Sequence, residues 1–305
     1  MKLIQGDCLE VMREMKDGII QTCVTSPPYY GLRDYGHAGQ IGLEQAPDAY
    51  ISKLVDVFRE VRRVLKDDGT LWLNLGDSYS GSRNGSGDKR EAGASISRND
   101  NKYGEHFPHG DAKPKDLLMI PARVALALQA DGWYLRSEII WHKPNPMPES
   151  VKDRPTKSHE MIYLLAKSQK YYYDADAVLE PYTKPLDRWA GEELKADGKS
   201  EWDKGTGQST YRNRNMRPNP KGRNRRDVWT VTTKPYKGAH FATFPPDLIE
   251  PCILAGSKEG DIVLDPFNGA GTTGLVAKKY NRNFIGIDIN AEYIKIAERR
   301  IKEAQ

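Results

Sequence analysis

Short apolar runs rich in β-branched residues recur along this chain, and turn-forming residues bound each of them. The runs are IIQTCVT (19–25), TLWLNLG (70–76), LRSEIIW (135–141), MIYLLAK (161–167), DIVLD (261–265) and NFIGID (283–288). Segments of this length and composition are typical of buried strands. Amphipathic helical patterns separate several of them, over 48–65, over 118–130 and after Asn290, a residue type that caps helices. Strands that alternate with helices predict an α/β fold built on a mostly parallel sheet.

Two polar segments interrupt this alternation and are predicted to be insertions at the functional edge of the sheet. Residues 80–115 are rich in Gly, Ser, Asn and basic residues, and residues 183–230 are polar and basic with dispersed tryptophans. The predicted segments of the chain are therefore 1–79, 80–115, 116–182, 183–230 and 231–305.

Composition argues against several classes of protein. No apolar run approaches the roughly 20 residues that a bilayer span needs. Asp7 and Glu10 stand where the hydrophobic region of a secretory signal would begin. The three cysteines, Cys8, Cys23 and Cys252, have no CxxC spacing, so neither a disulfide framework nor a zinc cluster is expected. We therefore expect a cytosolic protein without a metal site and without a membrane partner.

The positive charge of the chain is concentrated in one segment. Between Lys204 and Arg226 there are eight basic residues and no acidic residue, so the remainder of the chain is net acidic. A basic segment with Gly, Asn and Pro between its arginines suits a nucleic-acid backbone, although a solvated loop can have the same composition. The candidate DNA contacts are Arg33, which lies outside this segment, and Arg212, Arg214, Arg217, Lys221, Arg223, Arg225 and Arg226.

A glycine-rich turn near the C-terminus has the layout of a nucleotide-type cofactor site. In DPFNGAGTT (265–273) a strand leads through Gly269 and Gly271 into a helix, and Asp288 follows at the end of the next strand. An acid about 20 residues beyond such a turn often binds a ribose diol. The turn lacks the third glycine of a dinucleotide fingerprint and the GK[ST] of a P-loop, so a pyrophosphate is not the expected ligand. A strand-to-helix turn without a ligand remains an alternative for this segment alone.

The segment SPPY (26–29) follows the first long strand. Consecutive prolines there remove two N–H donors but leave carbonyl acceptors at the edge where ligands bind in open α/β sheets. Ser26, a proline carbonyl and the ring of Tyr29 together suit a flat heterocycle that carries an exocyclic amine. A proline-rich turn with a packing tyrosine is the alternative.

Together, TSPPYY and DPFNGAGTT resemble motifs IV and I of the S-adenosylmethionine-dependent DNA amino-methyltransferases, which methylate cytosine N4 or adenine N6. The catalytic motif precedes the cofactor motif, as in the circularly permuted β class of that family. Residues 6–12, 138–168 and 240–253 are similar to other motifs of this class. The resemblance implies a Rossmann-like methyltransferase fold with a mostly parallel seven-stranded sheet. It implies that 1–79 carries the catalytic motif, 116–182 continues the sheet, 231–305 binds the cofactor, and 80–115 and 183–230 are target-recognition insertions.

The resemblance also assigns site residues. The catalytic residues would be Ser26, Pro27, Pro28 and Tyr29, with a serine in the first position that favours N4 of cytosine over N6 of adenine. S-adenosyl-L-methionine would be bound by Asp7, Cys8, Phe244, Pro245, Asp265, Phe267, Gly269, Gly271, Thr272, Thr273 and Asp288.

The same resemblance indicates how the reaction would proceed and with which partners. The target base would leave the duplex and enter the site, where Ser26 and the Pro27 carbonyl accept its amine hydrogens and Tyr29 stacks on its ring. Double-stranded DNA is the implied partner, in a bacterium or its phage, and a homodimer and a cognate restriction endonuclease fit the family. The alternatives are methylation of RNA or of another amine, and an inactive DNA-binding protein that keeps the fold.

Overall fold

The computed structural model describes residues 1–32, 34, 36–37, 39–80, 112–182, 219, 221–233 and 244–303. The chain divides into two compact units, one of residues 1–173 and 227–305 and one of residues 174–226. Much of both predicted insertions lies outside the described residues. The division of the chain into five segments therefore stays a prediction.

The larger unit alternates strands and helices. Its strands are β1 (Lys2–Gln5), β2 (Ile20–Thr25), β3 (Leu65–Leu75), β4 (Tyr134–His142), β5 (His159–Ala166), β6 (Val228–Thr230), β7 (Ile262–Asp265) and β8 (Asn283–Asp288). Its helices are α1 (Cys8–Arg13), α2 (Pro47–Val64), α3 (Ile120–Ala130), α4 (Pro246–Gly256), α5 (Thr272–Lys279) and α6 (Ala291–Glu303). All six strands and the three helical segments read from the sequence are present, and Asn290 accepts a hydrogen bond from the Glu292 backbone N–H at 2.9 Å.

All eight strands form one sheet in the order β1-β8-β7-β2-β3-β5-β4-β6. The first five strands in this order, β1, β8, β7, β2 and β3, are parallel to their neighbours. Strand β5 is antiparallel to β3 and β4, and β6 is parallel to β4. The predicted α/β class with a mostly parallel sheet is therefore confirmed. The predicted count of seven strands is wrong, because β6 adds an edge strand of three residues, too short to show a periodic pattern.

Successive side chains of β3 point to opposite faces of the sheet, and helices pack against both faces. Leu71, Leu73 and Leu75 belong to the core cluster that includes residues of α1, α2 and α3. On the other face, a Cβ added to Gly256 of α4 would lie 3.0 Å from both the Thr70 hydroxyl and the Trp72 indole nitrogen. Both faces of the sheet are thus covered, as a parallel sheet requires.

Close packing of α5 against α6 and β8 depends on Gly274. A Cβ at this position would lie 2.5 Å from Ile301 Cδ1 and 2.7 Å from Phe284 Cε1. We expect Gly274→Ala to lower the free energy of unfolding by about 1–3 kcal/mol, because the core must shift to admit the methyl group. Urea unfolding measures this effect. Lys295→Ala, on the exposed side of α6, is the control and should change stability by less than about 0.5 kcal/mol; an equal loss in both variants would contradict the packing argument.

Candidate active site

The carboxyl ends of β1, β8, β7, β2 and β3 meet at one edge of the sheet, because these strands are parallel neighbours. A cleft opens at this edge, and it brings together most of the residues that the sequence singled out. The predicted residues that line it are Asp7, Cys8, Ser26, Pro27, Pro28, Tyr29, Phe244, Asp265, Phe267, Gly269, Thr272 and Asp288.

Three predicted cofactor residues do not line this cleft. Gly271 has a left-handed φ of 77°, and a Cβ there would lie 2.7 Å from the Ala297 Cβ of α6. The Thr273 hydroxyl donates to Asp265 Oδ2 at 2.7 Å, and Pro245 is buried at the start of α4. Gly271 therefore allows the turn to approach α6, and Thr273 connects the turn to the end of β7.

Asp265 joins the glycine-rich turn to β2. Its Oδ1 accepts hydrogen bonds from the Thr25 hydroxyl at 2.7 Å and the Phe267 backbone N–H at 3.1 Å, and its Oδ2 accepts from Thr273. Burial raises the pKa of the Asp265 carboxyl to about 6, although these three hydrogen bonds lower it. The carboxyl therefore fixes the cleft wall as well as contributing negative charge to it.

Two further acidic side chains lie at strand ends beside the cleft. The Asp288 carboxylate accepts hydrogen bonds from the backbone N–H groups of Gly269 and Asn290, both at 2.8 Å. Burial raises the pKa of Asp288, and these hydrogen bonds act in the opposite direction. Asp7 caps α1 through Oδ1, which accepts from the Leu9 and Glu10 backbone N–H groups at 2.8 and 3.1 Å. Both carboxylates line the cleft, and their oxygens can accept further hydrogen bonds.

The SPPY segment is held in place by contacts around its polar groups. The Tyr50 hydroxyl donates to the Pro28 carbonyl at 2.8 Å, and within the described part of the chain no hydrogen bond to the Pro27 carbonyl is found. The Tyr29 hydroxyl donates to Glu160 Oε2 at 2.7 Å and lies 3.1 Å from Asn74 Oδ1. Burial, and then the Glu160 carboxylate, raise the pKa of Tyr29 well above its usual value. The Pro27 carbonyl and Ser26 therefore remain as acceptors at the cleft.

Several lining residues were not predicted from the sequence. Gly31 N–H donates to the Gly42 carbonyl at 2.8 Å and closes a loop after the SPPY segment. This loop contributes Leu32, Gly39, Gln40 and Ile41 to the cleft, and Asn290 and Tyr293 line it from the start of α6. The loop residues show no periodic pattern, and Tyr293 reads from the sequence only as part of an apolar helical face.

The predicted DNA contacts are only partly described. Arg33, Arg212, Arg214 and Arg217 lie outside the described residues. In the unit of residues 174–226, Lys221 pairs with Asp176 at 3.2 Å, and Arg223 and Arg226 pair with Glu180 at 3.3 and 3.0 Å. Arg225 also has a partner within the chain. Part of the positive charge here is therefore balanced inside the protein, although Lys221 and Arg226 remain largely exposed.

The three thiols, of which Cys8 lines the cleft, are suited to packing. Cys8, Cys23 and Cys252 are buried, and burial raises the pKa of Cys8 to about 12 and that of Cys23 well above its usual value. Because only the thiolate is a strong nucleophile, we expect iodoacetamide at pH 8 to leave the folded protein unmodified and fully active. Mass spectrometry of the treated protein measures this. Labelling after denaturation is the control, and rapid labelling of Cys8 in the folded state would contradict the expectation.

Neither a metal-ligand cluster nor a membrane-spanning helix occurs among the described residues. No group of three or more His, Cys, Asp or Glu residues among them is arranged to hold a metal ion. Over the same residues, none of the helices has the length and apolar character to cross a membrane.

Comparison with known proteins identifies the family. A model of the DNA methylase family matches residues 20–299. The chain is 48% identical over 303 residues to the type II methyltransferase M.Cfr9I of Citrobacter freundii, covering 98% of this chain and 87% of that protein. It is also 48% identical over 302 residues to the type II methyltransferase M.SmaI of Serratia marcescens, covering 98% and 90%.

Solved structures show the same fold. The cytosine-N4-specific PvuII DNA methyltransferase superposes with a TM-score of 0.64 at 19% identity, covering 98% of this chain and 85% of that one. The M1.HpyAVI–SAM complex superposes with a TM-score of 0.55 at 18% identity, covering 98% of each chain. The sheet order, the cleft at its carboxyl edge and these matches agree, so this chain belongs to the DNA methylase family and is an S-adenosyl-L-methionine-dependent DNA methyltransferase.

Proposed function

We propose that the enzyme methylates the exocyclic amino group of a base that has left duplex DNA, and that N4 of cytosine is its target. The observation that carries this proposal is the SPPY segment at the cleft, which Ser26 and Pro27 line together with the half-buried Tyr29. Two acceptors suit the two hydrogens of an exocyclic amine. The serine in the first position favours cytosine.

The chemistry of the cleft fits S-adenosyl-L-methionine, which is cationic and carries a ribose diol and an adenine ring. We propose that Asp288 accepts hydrogen bonds from the ribose hydroxyls and that Asp7 or the Cys8 backbone meets the adenine amine. Asp265, Phe267, Gly269 and Thr272 would surround the methionine and ribose portions, and Phe244 would close the cleft. Gly271, Thr273 and Pro245 would shape this wall from behind. When bound, the cofactor supplies the electrophilic methyl group.

The chain's own residues then orient the amine and protect the site. The amine lone pair is delocalised into the base, so hydrogen bonds from the amine to Ser26 and the Pro27 carbonyl favour the tetrahedral nitrogen that accepts the methyl group. Tyr29 stacks on the extruded base and offsets part of the few kcal/mol that unstacking costs. Positioning of the two reacting atoms contributes most of the remaining rate enhancement.

The basic residues of 204–226 and Arg33 are proposed to contact DNA phosphates, and the two insertions to read the target sequence. The relatives named above are type II methyltransferases, which supports a cognate restriction endonuclease as a partner. The predicted homodimer is checked by size-exclusion chromatography with light scattering.

The test is identification of the methylated nucleoside. We expect labelled S-adenosyl-L-methionine and unmethylated bacterial DNA to yield N4-methylcytosine, detected by mass spectrometry after digestion. Ser26→Ala should reduce the yield by roughly tenfold or more, because a hydrogen bond to the amine is lost. Ser168→Ala is the matched control, since Ser168 lies beyond the carboxyl end of β5, at the opposite edge of the sheet. N6-methyladenine would support the alternative target, and labelled RNA without labelled DNA would overturn the proposal.

A further inference from the structure

Glu160, to which the sequence analysis gave no role, contacts the proposed base-stacking tyrosine. Because β5 runs antiparallel to β3, its amino end brings Glu160 to the carboxyl edge of the parallel strands. Glu160 Oε2 accepts the Tyr29 hydroxyl at 2.7 Å. This is a short hydrogen bond to a charged acceptor, a class that is about twice as strong as a hydrogen bond between neutral groups.

The Glu160 carboxylate is itself held from two sides. Its Oε1 accepts a hydrogen bond from Lys143 Nζ, and the side chains of Lys143 and Glu160 are only 18% and 16% exposed. Lys143 Nζ also lies 4.2 Å from the centre of the Trp141 ring. Asn74 Nδ2 donates to Glu160 Oε2 at 3.4 Å and to the Met161 carbonyl at 3.1 Å. The carboxylate is therefore a fixed acceptor.

This arrangement sets the direction of the hydrogen bonds at the site. The Tyr29 hydroxyl has one hydrogen, and Glu160 is both its nearest acceptor and a charged one. With that hydrogen donated to Glu160, Tyr29 Oη presents lone pairs to Ser26 Oγ, which lies 3.5 Å away. Ser26 can then direct its hydrogen toward Tyr29 and keep its own lone pairs for an incoming amine.

We propose that Glu160, held by Lys143, is a positioning residue for methyl transfer. It anchors the Tyr29 ring against which the base stacks and keeps Ser26 as a hydrogen-bond acceptor. This inference rests on the proposed roles of Tyr29 and Ser26.

A double-mutant cycle tests it with Glu160→Gln, Tyr29→Phe and both together. Lys143 only donates, so it selects the amide oxygen of the glutamine and leaves the amide N–H₂ facing Tyr29 Oη. The tyrosine hydroxyl then loses its charged acceptor and accepts a hydrogen bond from the glutamine instead. The hydrogen bond between Tyr29 and residue 160 is thus reversed in direction. We expect each single variant to lower kcat on DNA about tenfold, with KM for DNA within about threefold. The double variant should be no slower than Tyr29→Phe by more than about twofold, because both changes break one interaction.

Glu138 and Tyr163 provide a matched control pair in the same sheet. The Tyr163 hydroxyl donates to Glu138 Oε1 at 3.2 Å, and neither residue lines the cleft. Glu138→Gln and Tyr163→Phe should leave kcat unchanged. Calorimetric titration with S-adenosyl-L-methionine checks that every variant retains the cofactor site. If Glu160→Gln does not fold, Glu160→Asp, which keeps the charge but withdraws it from Tyr29, should show the same loss of kcat.

The outcomes separate this inference from the proposed function. The positioning role would be overturned if Glu160→Gln kept the wild-type kcat. It would also be overturned if the tenfold losses of the two single variants multiplied in the double variant. Neither result would contradict the proposed function. Wild-type turnover in Tyr29→Phe would also overturn the positioning role, because the hydroxyl would then have no part. If the wild-type protein bound the cofactor but methylated no DNA base, the proposed function would fail first.

Discussion

Gly76→Ala is expected to lower kcat on DNA by at least about 100-fold while cofactor affinity stays within about threefold of wild type. A Cβ at this position would lie 2.4 Å from Tyr29 Cε2 and 2.7 Å from Tyr29 Cδ2. The ring cannot swing away freely, because Glu160 and Asn74 contact its hydroxyl at 2.7 and 3.1 Å. Displacement of a substrate-positioning group by about 1 Å can reduce a rate by roughly this factor.

Steady-state methylation kinetics and calorimetric binding of S-adenosyl-L-methionine measure the two quantities. Gly260→Ala is the control. Gly260 has a left-handed φ of 80° and no atom within 4 Å of its added Cβ, so the variant strains the backbone without touching Tyr29. It should lose stability by about 1 kcal/mol and keep its activity. Retention of activity in Gly76→Ala would mean that the ring position of Tyr29 is unimportant.

The free energy of unfolding of Gly76→Ala, measured in the wild-type and in a Tyr29→Ala background, tests whether a clash with the Tyr29 ring causes the loss of activity. If the clash with the ring is responsible, Gly76→Ala should destabilise the wild-type background by about 1–3 kcal/mol. The same substitution in a Tyr29→Ala background should cost less than about 0.5 kcal/mol, because the ring that it meets is gone.

The sequence predicted which residues lie at the carboxyl edge of the sheet because their position depends on local sequence. Each motif follows its own strand directly, as Ser26 follows β2 and Asp288 ends β8, and parallel strands bring such residues to one edge. The strand and helix patterns are local in the same sense. Most of their bounds therefore lie close to those in the structure even though no contact between distant segments was used, whereas β3 begins at Leu65, before the predicted run of 70–76.

The surroundings of Tyr29 could not be predicted in this way. Asn74, Gly76 and Glu160 come from β3, the residues after it and the antiparallel β5, and no spacing in the sequence relates them to residue 29. Similarly, DPFNGAGTT does not show which of its residues face a ligand. Thr273 turns toward Asp265 and Gly271 toward α6 only because those segments pack there.

Asp265→Asn is expected to remove a pH dependence of stability. The pKa of the folded carboxyl is about 6, whereas that of an unfolded aspartate is about 3.9. Between these values the folded protein holds a proton that the unfolded chain releases. The free energy of unfolding therefore falls as pH rises from about 4 to about 6, by about 3 kcal/mol in total, and the loss is complete above pH 6. Asparagine does not titrate, so this component should be absent.

Urea unfolding at several pH values measures the difference between variant and wild type, in which the contributions of other groups cancel. Asparagine can still accept from Thr25 through its oxygen. Its N–H₂ can donate to the Thr273 hydroxyl, which lies 3.3 Å from the Val24 carbonyl and can donate there instead. We therefore expect the variant to be more stable than wild type at pH 8 by up to about 2 kcal/mol. Lower stability at every pH would show that the hydrogen bonds of the carboxylate outweigh its burial.

Asp265→Asn should also weaken binding of the cofactor. Asp265 lines the cleft, and S-adenosyl-L-methionine is cationic, so removal of a negative charge raises its Kd. A charge at roughly 10 Å in an effective dielectric of about 20 contributes about 1–2 kcal/mol, which corresponds to a roughly tenfold change in Kd. If the variant were more stable but bound the cofactor more weakly, the buried carboxylate of Asp265 would be present for cofactor binding. Folding alone would favour the neutral side chain.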